Sequence, residues 1–214
     1  MELIDVLKHT GTTRYFKTDD VPDEVLWRAF DAARFAPQGG NRQPVRWVVV
    51  RDPENKRQLK EWYLPPWNAY VAGITQRQVS IGAAERTLKA AIHFADHLDE
   101  VPAIVVACAE LSGIHPTDNQ LGRLSVVGGA SIYPTVQSFM LALRDQGVGS
   151  ALTTLLCMAE PQVKELLGIP EDVITAAHVA IGYPDQPWPR KLTRLPVKEI
   201  AYVDQYGGSP LSEG

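Results

Sequence analysis

A chain of 214 residues, 45% hydrophobic and 21% charged, suits one α/β or α+β domain with a full core and leaves little length for a second. Its net charge of −4, with no Lys/Arg run longer than two, argues against a basic nucleic-acid arm and a basic membrane-surface patch. The composition is not that of a disordered chain, and no stretch is apolar for long enough to span a bilayer.

The chain opens Met1-Glu2-Leu3-Ile4-Asp5, acidic and without a long apolar run, which argues against a signal peptide and for a cytoplasmic protein. Leu3, Ile4 and Leu7 recur at helical spacing and predict a short first helix that Thr10 to Thr13 interrupt. A second helix is predicted from Asp23, just behind Pro22, with Val25, Leu26, Ala29, Phe30 and Ala33 as its apolar stripe. Residues 37–44, two prolines bracketing two glycines, read as a loop without regular structure. Trp47-Val48-Val49-Val50 reads as a buried strand. Lys56 to Trp62 read as a helix that Tyr63-Leu64-Pro65-Pro66-Trp67 interrupts.

A strong helix follows over residues 83–98, then a strand over Pro102 to Ala109. Residues 129–146 predict a long helix, nearly uncharged until Arg144 and hence buried on most sides, either central or at a subunit interface. Ser150 to Thr154 lead out of Gly147 and Gly149 as a strand, Glu160 to Leu167 form a short helix stopped by Gly168, and Val173 to Ile181 are β-rich. Beyond Pro184 prolines are frequent, and residues 203–214 read as a tail. There is no repeat and no low-complexity tract. This order lacks the regular βαβ alternation of a dinucleotide-binding sheet. It predicts a single α+β domain over 1–214, a mixed central sheet wrapped by helices.

Most isolated motifs have plain structural explanations. Gly147-Val148-Gly149-Ser150 follows a helix and precedes a strand, the reverse of a dinucleotide fingerprint, with Leu152 where a third glycine would stand. It reads as a helix C-terminal turn. His93 and His97 share a helix face, but Phe94 stands where a zinc protease has glutamate and Asp96 lies off that face; two surface histidines are expected. His178 lies in an apolar run and reads as a hydrogen-bonded core residue. Cys108 and Cys157 read as buried thiols outside any Cys-x-x-Cys pair. No Gly-x-Ser-x-Gly elbow marks a nucleophile.

What remains is a scattered set. Thr10-Gly11-Thr12-Thr13-Arg14 offers hydroxyls, amides and a guanidinium. The 37–44 loop offers amides, Thr153-Thr154 hydroxyls at a strand end, and Arg190, Lys191 and Arg194 positive charge. Together they suit a ligand with a phosphate, a polyol and a flat heteroaromatic ring.

Several segments resemble the nitroreductase family of FMN-dependent oxidoreductases along nearly the whole chain. They are Thr12-Thr13-Arg14-Tyr15-Phe16, Ala36 to Pro44 running into Val48-Val49-Val50, Val101-Pro102-Ala103-Ile104, and Gly129-Ala130-Ser131-Ile132. Gly147-Val148-Gly149-Ser150, Leu166-Leu167-Gly168-Ile169-Pro170, Ile181-Gly182-Tyr183-Pro184 and Arg194-Leu195-Pro196-Val197 complete the set. The resemblance implies a nitroreductase-like α+β fold, an intertwined homodimer, and two FMN sites at the dimer interface, each built from both chains. It implies Arg14 at the flavin pyrimidine end or ribityl chain and Thr12 in the place of the family's serine. Thr10 and Gly11 stand where two phosphate-holding arginines are usual. Gln38, Gly39, Asn41 and Arg42 fall in the second motif, with Gln38 replacing a usual serine, Val45 a usual tryptophan, and Arg42 a candidate to restore the missing charge. Thr153, Thr154 and Leu155 match the segment passing flavin N5, and Arg194 the arginine on the phosphate.

The implied activity is ping-pong transfer of a hydride from NADH or NADPH through flavin N5 to a small planar acceptor, a nitroaromatic or quinone. Trp62, Tyr63, Trp67 and Tyr70 cluster in a candidate lid, with Trp67 and Tyr70 as its stacking residues, or pack against a partner subunit. Alternatives are a reductive dehalogenase, a flavin-modifying enzyme, a reductase using F420, and a non-catalytic flavin-binding protein.

Overall fold

The computed structural model of the chain describes residues 2–76, 83–189 and 192–212. Its helices are α1 (Leu3–His9), α2 (Asp23–Ala33), α3 (Pro53–Gln76), α4 (Ala83–Asp96), α5 (Tyr133–Asp145) and α6 (Glu160–Leu167). Its strands are β1 (Val45–Val50), β2 (Ala103–Glu110), β3 (Gly149–Thr153) and β4 (Val173–Gly182). The strands form one sheet in the order β1-β2-β4-β3. Every pairing among the described residues is antiparallel, so the sheet within one chain is not the mixed one expected.

Helices cover both faces. On one, Val25, Leu26 and Ala29 of α2 and Phe139 and Leu143 of α5 pack on Val105, Ala107, Val179 and Ile181. Phe139 is fully buried and its ring lies 4.7 Å from Phe30 and 5.0 Å from Trp47; removing such a ring costs about 3–5 kcal/mol. On the other face, Leu59, Tyr63, Phe94, Leu98 and Val163 pack on Ile104, Val106, Cys108 and Ala180. The central strands are therefore apolar on both sides, and β2 is buried from Ala103 through Ala109.

The structure corrects four further expectations. First, β1 is an edge strand, and only Val50 of it is buried. Its Arg46 guanidinium donates to the carbonyls of Gln43 (2.8 Å) and Val45 (2.9 Å) and pairs with Glu110 at 3.0 Å. Second, α3 runs straight through Pro65 and Pro66. The two prolines withhold hydrogen bonds from the carbonyls four residues earlier, but Tyr63 and Trp67 are anchored in the core and hold the helix in register. Third, the long apolar helix begins at Tyr133, after a 3₁₀ turn over Val127–Gly129, with Pro134 in its first turn. Fourth, the 37–44 loop contains a 3₁₀ turn at Gly39–Asn41. Cys108 is buried as expected, whereas Cys157 is only half-buried. The tail folds back on itself, with Val203 N–H donating to Ser209 C=O (2.9 Å) and Leu211 N–H to Ala201 C=O (3.0 Å).

Candidate functional site

The first cluster forms where the segment after α1 crosses the sheet. Thr13 N–H donates to Ser150 C=O at 2.9 Å, Lys17 N–H to Tyr183 C=O at 2.8 Å, and Asp185 N–H to Tyr15 C=O at 3.0 Å. This close approach needs a glycine at the start of β3. A Cβ at position 149 would stand 2.8 Å from the Thr13 Cβ. The staple fixes Arg14, half-buried, beside Tyr63 of α3 and Tyr15.

Tyr63 shares a hydrogen bond with the Thr153 side chain at the end of β3. Thr153 Oγ1 also accepts from Leu155 N–H at 3.2 Å. Burial lowers the Arg14 pKa against the opposing pull of Tyr63 and Tyr15, and burial raises that of the Tyr63 phenol. Among the described residues the Arg14 guanidinium has no hydrogen-bond or ion-pair partner. A partly desolvated, unpaired cation is costly, and an oxygen-rich or anionic group placed beside it would offset that cost.

The residues around Arg14 have other duties. Thr10, which stands where an arginine was expected, donates its hydroxyl back to Val6 C=O at 2.5 Å and closes α1. Thr12 is exposed. Gly11 lies against the side chains of Pro189 and Leu192, so a Cβ there would meet Pro189 Cγ at 2.7 Å. That contact brings the C-terminal segment bearing Arg194 toward the Thr10–Thr12 loop. Arg194 itself is exposed and donates to Thr193 C=O at 2.7 Å.

A second cluster lies on the loop before β1. Gly40, Asn41 and Gln43 take left-handed backbone angles, with φ of 60°, 52° and 51°. Two of the three are not glycine, and such strain concentrates where a loop is shaped for function. Gly39 N–H donates to Ser131 Oγ at 3.1 Å, and the Gln38 Oε1 atom is buried without a partner. Here a cleft of about 430 Å³ opens between Gln38, Gly39 and Arg42 on one side and His115, Thr117 and Ser131 on the other. Its far wall is pinned by buried Asp118, which accepts from Ser125 Oγ (2.6 Å), Val126 N–H (3.0 Å) and Arg123 (2.7 Å). These bonds, Ser125 foremost, hold the Asp118 carboxyl down at about 2.

A third feature adjoins Arg14. A cleft of about 210 Å³ is lined by Arg14, Tyr15, His93, His97, Glu100 and Asp185, among others, and shares no lining residue with the larger cleft. The Tyr15 and His93 rings stack at 4.3 Å, and His93 and His97 at 4.0 Å. The two histidines are thus half-buried in a column rather than free on the surface.

One chain therefore gathers Arg14 with Thr153, and separately Gln38, Gly39 and Arg42. Asn41 and Thr154 are exposed, and Leu155 packs on the core. Trp67 is 8% exposed; it stacks on Tyr63 (6.1 Å) and meets exposed Tyr70 at a tilt (6.0 Å, 38° between planes). The three rings lead from the neighbour of Arg14 to the surface. Tyr63 enters the site although the sequence marked it only as one of a cluster; its i, i+4 spacing to Trp67 carries the signal once the prolines are read as helical. His178, expected to be hydrogen-bonded, has no partner at either ring nitrogen, and burial lowers its pKa to about 4. No described helix is long and apolar enough to cross a membrane.

Residues 7–183 match the Nitroreductase family. An NADH dehydrogenase of Thermus thermophilus is 32% identical over 203 residues, 91% of each chain. Among solved structures, an iodotyrosine deiodinase bound to FMN and 3-iodo-L-tyrosine is 25% identical with a TM-score of 0.66, covering 91% of this chain and 96% of that one. A BluB-like flavoprotein from Clostridium difficile is 21% identical with a TM-score of 0.70, over 94% of this chain and 98% of that one.

Proposed function

The chain belongs to the nitroreductase family, and from that premise we propose that it is an FMN-dependent NAD(P)H oxidoreductase for small planar acceptors, nitroaromatics or quinones, with each site shared between two chains. The observation that carries this reading is the half-buried Arg14 guanidinium without a partner, met by Tyr63 and Thr153 from distant parts of the sequence.

The residues present fit the cofactor. Arg14 offers charge and paired N–H donors to the oxygen-bearing edge of a flavin, where it stabilises developing negative charge. The orphaned Gln38 oxygen seeks a donor such as a ring N–H. The exposed tail arginine, Arg194, is the candidate partner for the phosphate, since Thr10 is occupied in closing α1. FMN, when bound there, would supply two-electron redox chemistry between the nicotinamide donor and the second substrate.

The chain's own residues then orient and enclose. Tyr63 and Thr153 fix one another beside Arg14, and Trp67 braces Tyr63 from within the core. Tyr70 presents an exposed aromatic face to a flat acceptor. The Gln38–Arg42 loop and the Arg14 group line separate clefts within one chain, which supports assembly of each site from two copies.

The test is direct. Purified protein is titrated with FMN at micromolar concentration, and NADH or NADPH is added anaerobically. A yellow protein that bleaches is expected. Failure to take up FMN overturns the reading, and uptake without bleaching favours a non-catalytic flavoprotein or an F420-linked reductase. Reductive dehalogenation is a second reading, favoured by the deiodinase among similar structures and by the aromatic wall of Tyr63, Trp67 and Tyr70. Iodide release from 3-iodotyrosine by the reduced protein separates it from the first.

A further inference from the structure

We propose that the smaller cleft beside Arg14 receives the adenosine end of the nicotinamide donor and selects NADH over NADPH. The inference rests on the oxidoreductase reading above and names the donor for that same site. At about 210 Å³ the cleft is smaller than the roughly 300–1,000 Å³ that encloses a whole drug-sized ligand, so it suits one end of a longer molecule.

Its half-buried wall is a ladder of flat rings. Tyr15 and His93 are stacked at 4.3 Å with 22° between their planes, and His93 and His97 at 4.0 Å with 28°. His97 is fixed from below, its Nδ1 in a 2.7 Å hydrogen bond to the His93 carbonyl. Burial, and then the neighbouring His97, lower the His93 pKa and so disfavour its cationic form. Stacked rings of this kind are a platform for a purine, which binds through its π-face.

The exposed rim carries Thr18, Glu100 and Asp185. The side chains of Glu100 and Asp185 make no hydrogen bond or ion pair among the described residues. Free carboxylates accept from the 2′- and 3′-hydroxyls of an adenosine ribose, as they do in NAD sites, whereas a 2′-phosphate needs an arginine in that place. Among the described residues, the only permanent cation lining the cleft is Arg14. It is half-buried, beside Tyr63, and belongs to the flavin side of the site. Among the described lining residues, a 2′-phosphate would therefore meet two carboxylates and no rim cation to offset it.

The test uses the FMN-loaded protein and two non-reducing fragments, ADP-ribose and 2′-phospho-ADP-ribose, with binding followed by calorimetry. ADP-ribose is expected to bind at least tenfold more tightly than its 2′-phosphorylated form. The Glu100→Gln/Asp185→Asn double variant is expected to cut that preference at least fivefold and to lower the NADH:NADPH ratio of kcat/KM by a similar factor. FMN affinity should not move. Tyr15→Leu is expected to weaken both fragments together.

Equal binding of the two fragments, or a preference untouched by the double variant, overturns the inference while leaving the oxidoreductase reading intact. Failure to take up FMN at all strikes that reading instead, and fragment binding by the FMN-free protein then decides the cleft's role separately.

Discussion

Gly149→Ala is the substitution that most directly tests how the fold aims Arg14. The new methyl would lie 2.8 Å from both Cβ and Cγ2 of Thr13 and closer still to its hydroxyl. None of these is the far end of a flexible chain, so the Thr13 backbone must retreat from β3. Overpacking of this kind costs about 1–3 kcal/mol, and a chain of this size loses roughly 2–4 °C of Tm per kcal/mol. A fall of about 2–12 °C is expected. The retreat also breaks the 2.9 Å bond from Thr13 N–H to Ser150 C=O and swings the next residue, Arg14, out of line. Loss of one charge-assisted hydrogen bond, about 1.5–3 kcal/mol, weakens FMN binding by about 10–100-fold. The structure also dictates which second change rescues it. Thr13→Ala keeps the Cβ that lies 2.8 Å away and relieves little, whereas Thr13→Gly removes every atom in conflict. Thermal unfolding and flavin-fluorescence titration of the four proteins in the Thr13→Gly, Gly149→Ala cycle measure the coupling. Wild-type Tm and FMN affinity in Gly149→Ala would refute the reasoning, as would a double variant no better than Gly149→Ala alone.

Two further expectations concern stability. His178 holds its native pKa at about 4, below the ordinary 6.5, so between those values the unfolded chain takes up a proton that the native one refuses. Stability should fall as pH drops from about 6.5 to 4 and lose nothing more from this group below that, a change of roughly 3 kcal/mol. Urea unfolding of His178→Leu at pH 7 and 4.5 should show a shallower acid slope, and an unchanged slope would count against it. Gln43 sits at φ 51°, where an L side chain costs about 1–2 kcal/mol and glycine does not. After allowing about 0.5–1 kcal/mol for the extra freedom of glycine in the unfolded chain, Gln43→Gly should leave Tm unchanged or raise it by up to about 6 °C; a lower Tm would show that the angle is not strained.

The periodic parts of this fold were readable because their pattern is local. The stripe of α2 and the Gly168 stop after α6 appear where their residues place them, the latter at φ 65°. The errors share a cause. Pro65 and Pro66 carry a local penalty that Tyr63 and Trp67, buried against the sheet, outweigh. Trp47 to Val50 look like a doubly covered strand, but which strand ends at an edge is decided by pairings with residues about 60 positions away. The site was legible only through its resemblance to a family. No spacing announces that Tyr63 meets Thr153, or that Thr10 turns its hydroxyl back to α1. Still less does it say that Gln38 and Arg14 line different clefts. Those relations depend on where helices land on the sheet.

Arg46 gives the edge strand a further property. An exposed β edge invites another chain to add its backbone, and Val48-Val49-Val50 has the composition that does so readily. By binding the carbonyls of Gln43 and Val45 itself and holding Glu110 at its other end, the Arg46 guanidinium occupies acceptors that a stray strand would need and places charge where it would dock. The first strand of this sheet thus carries its own guard against aggregation, built from a single side chain turned back on the backbone that bears it.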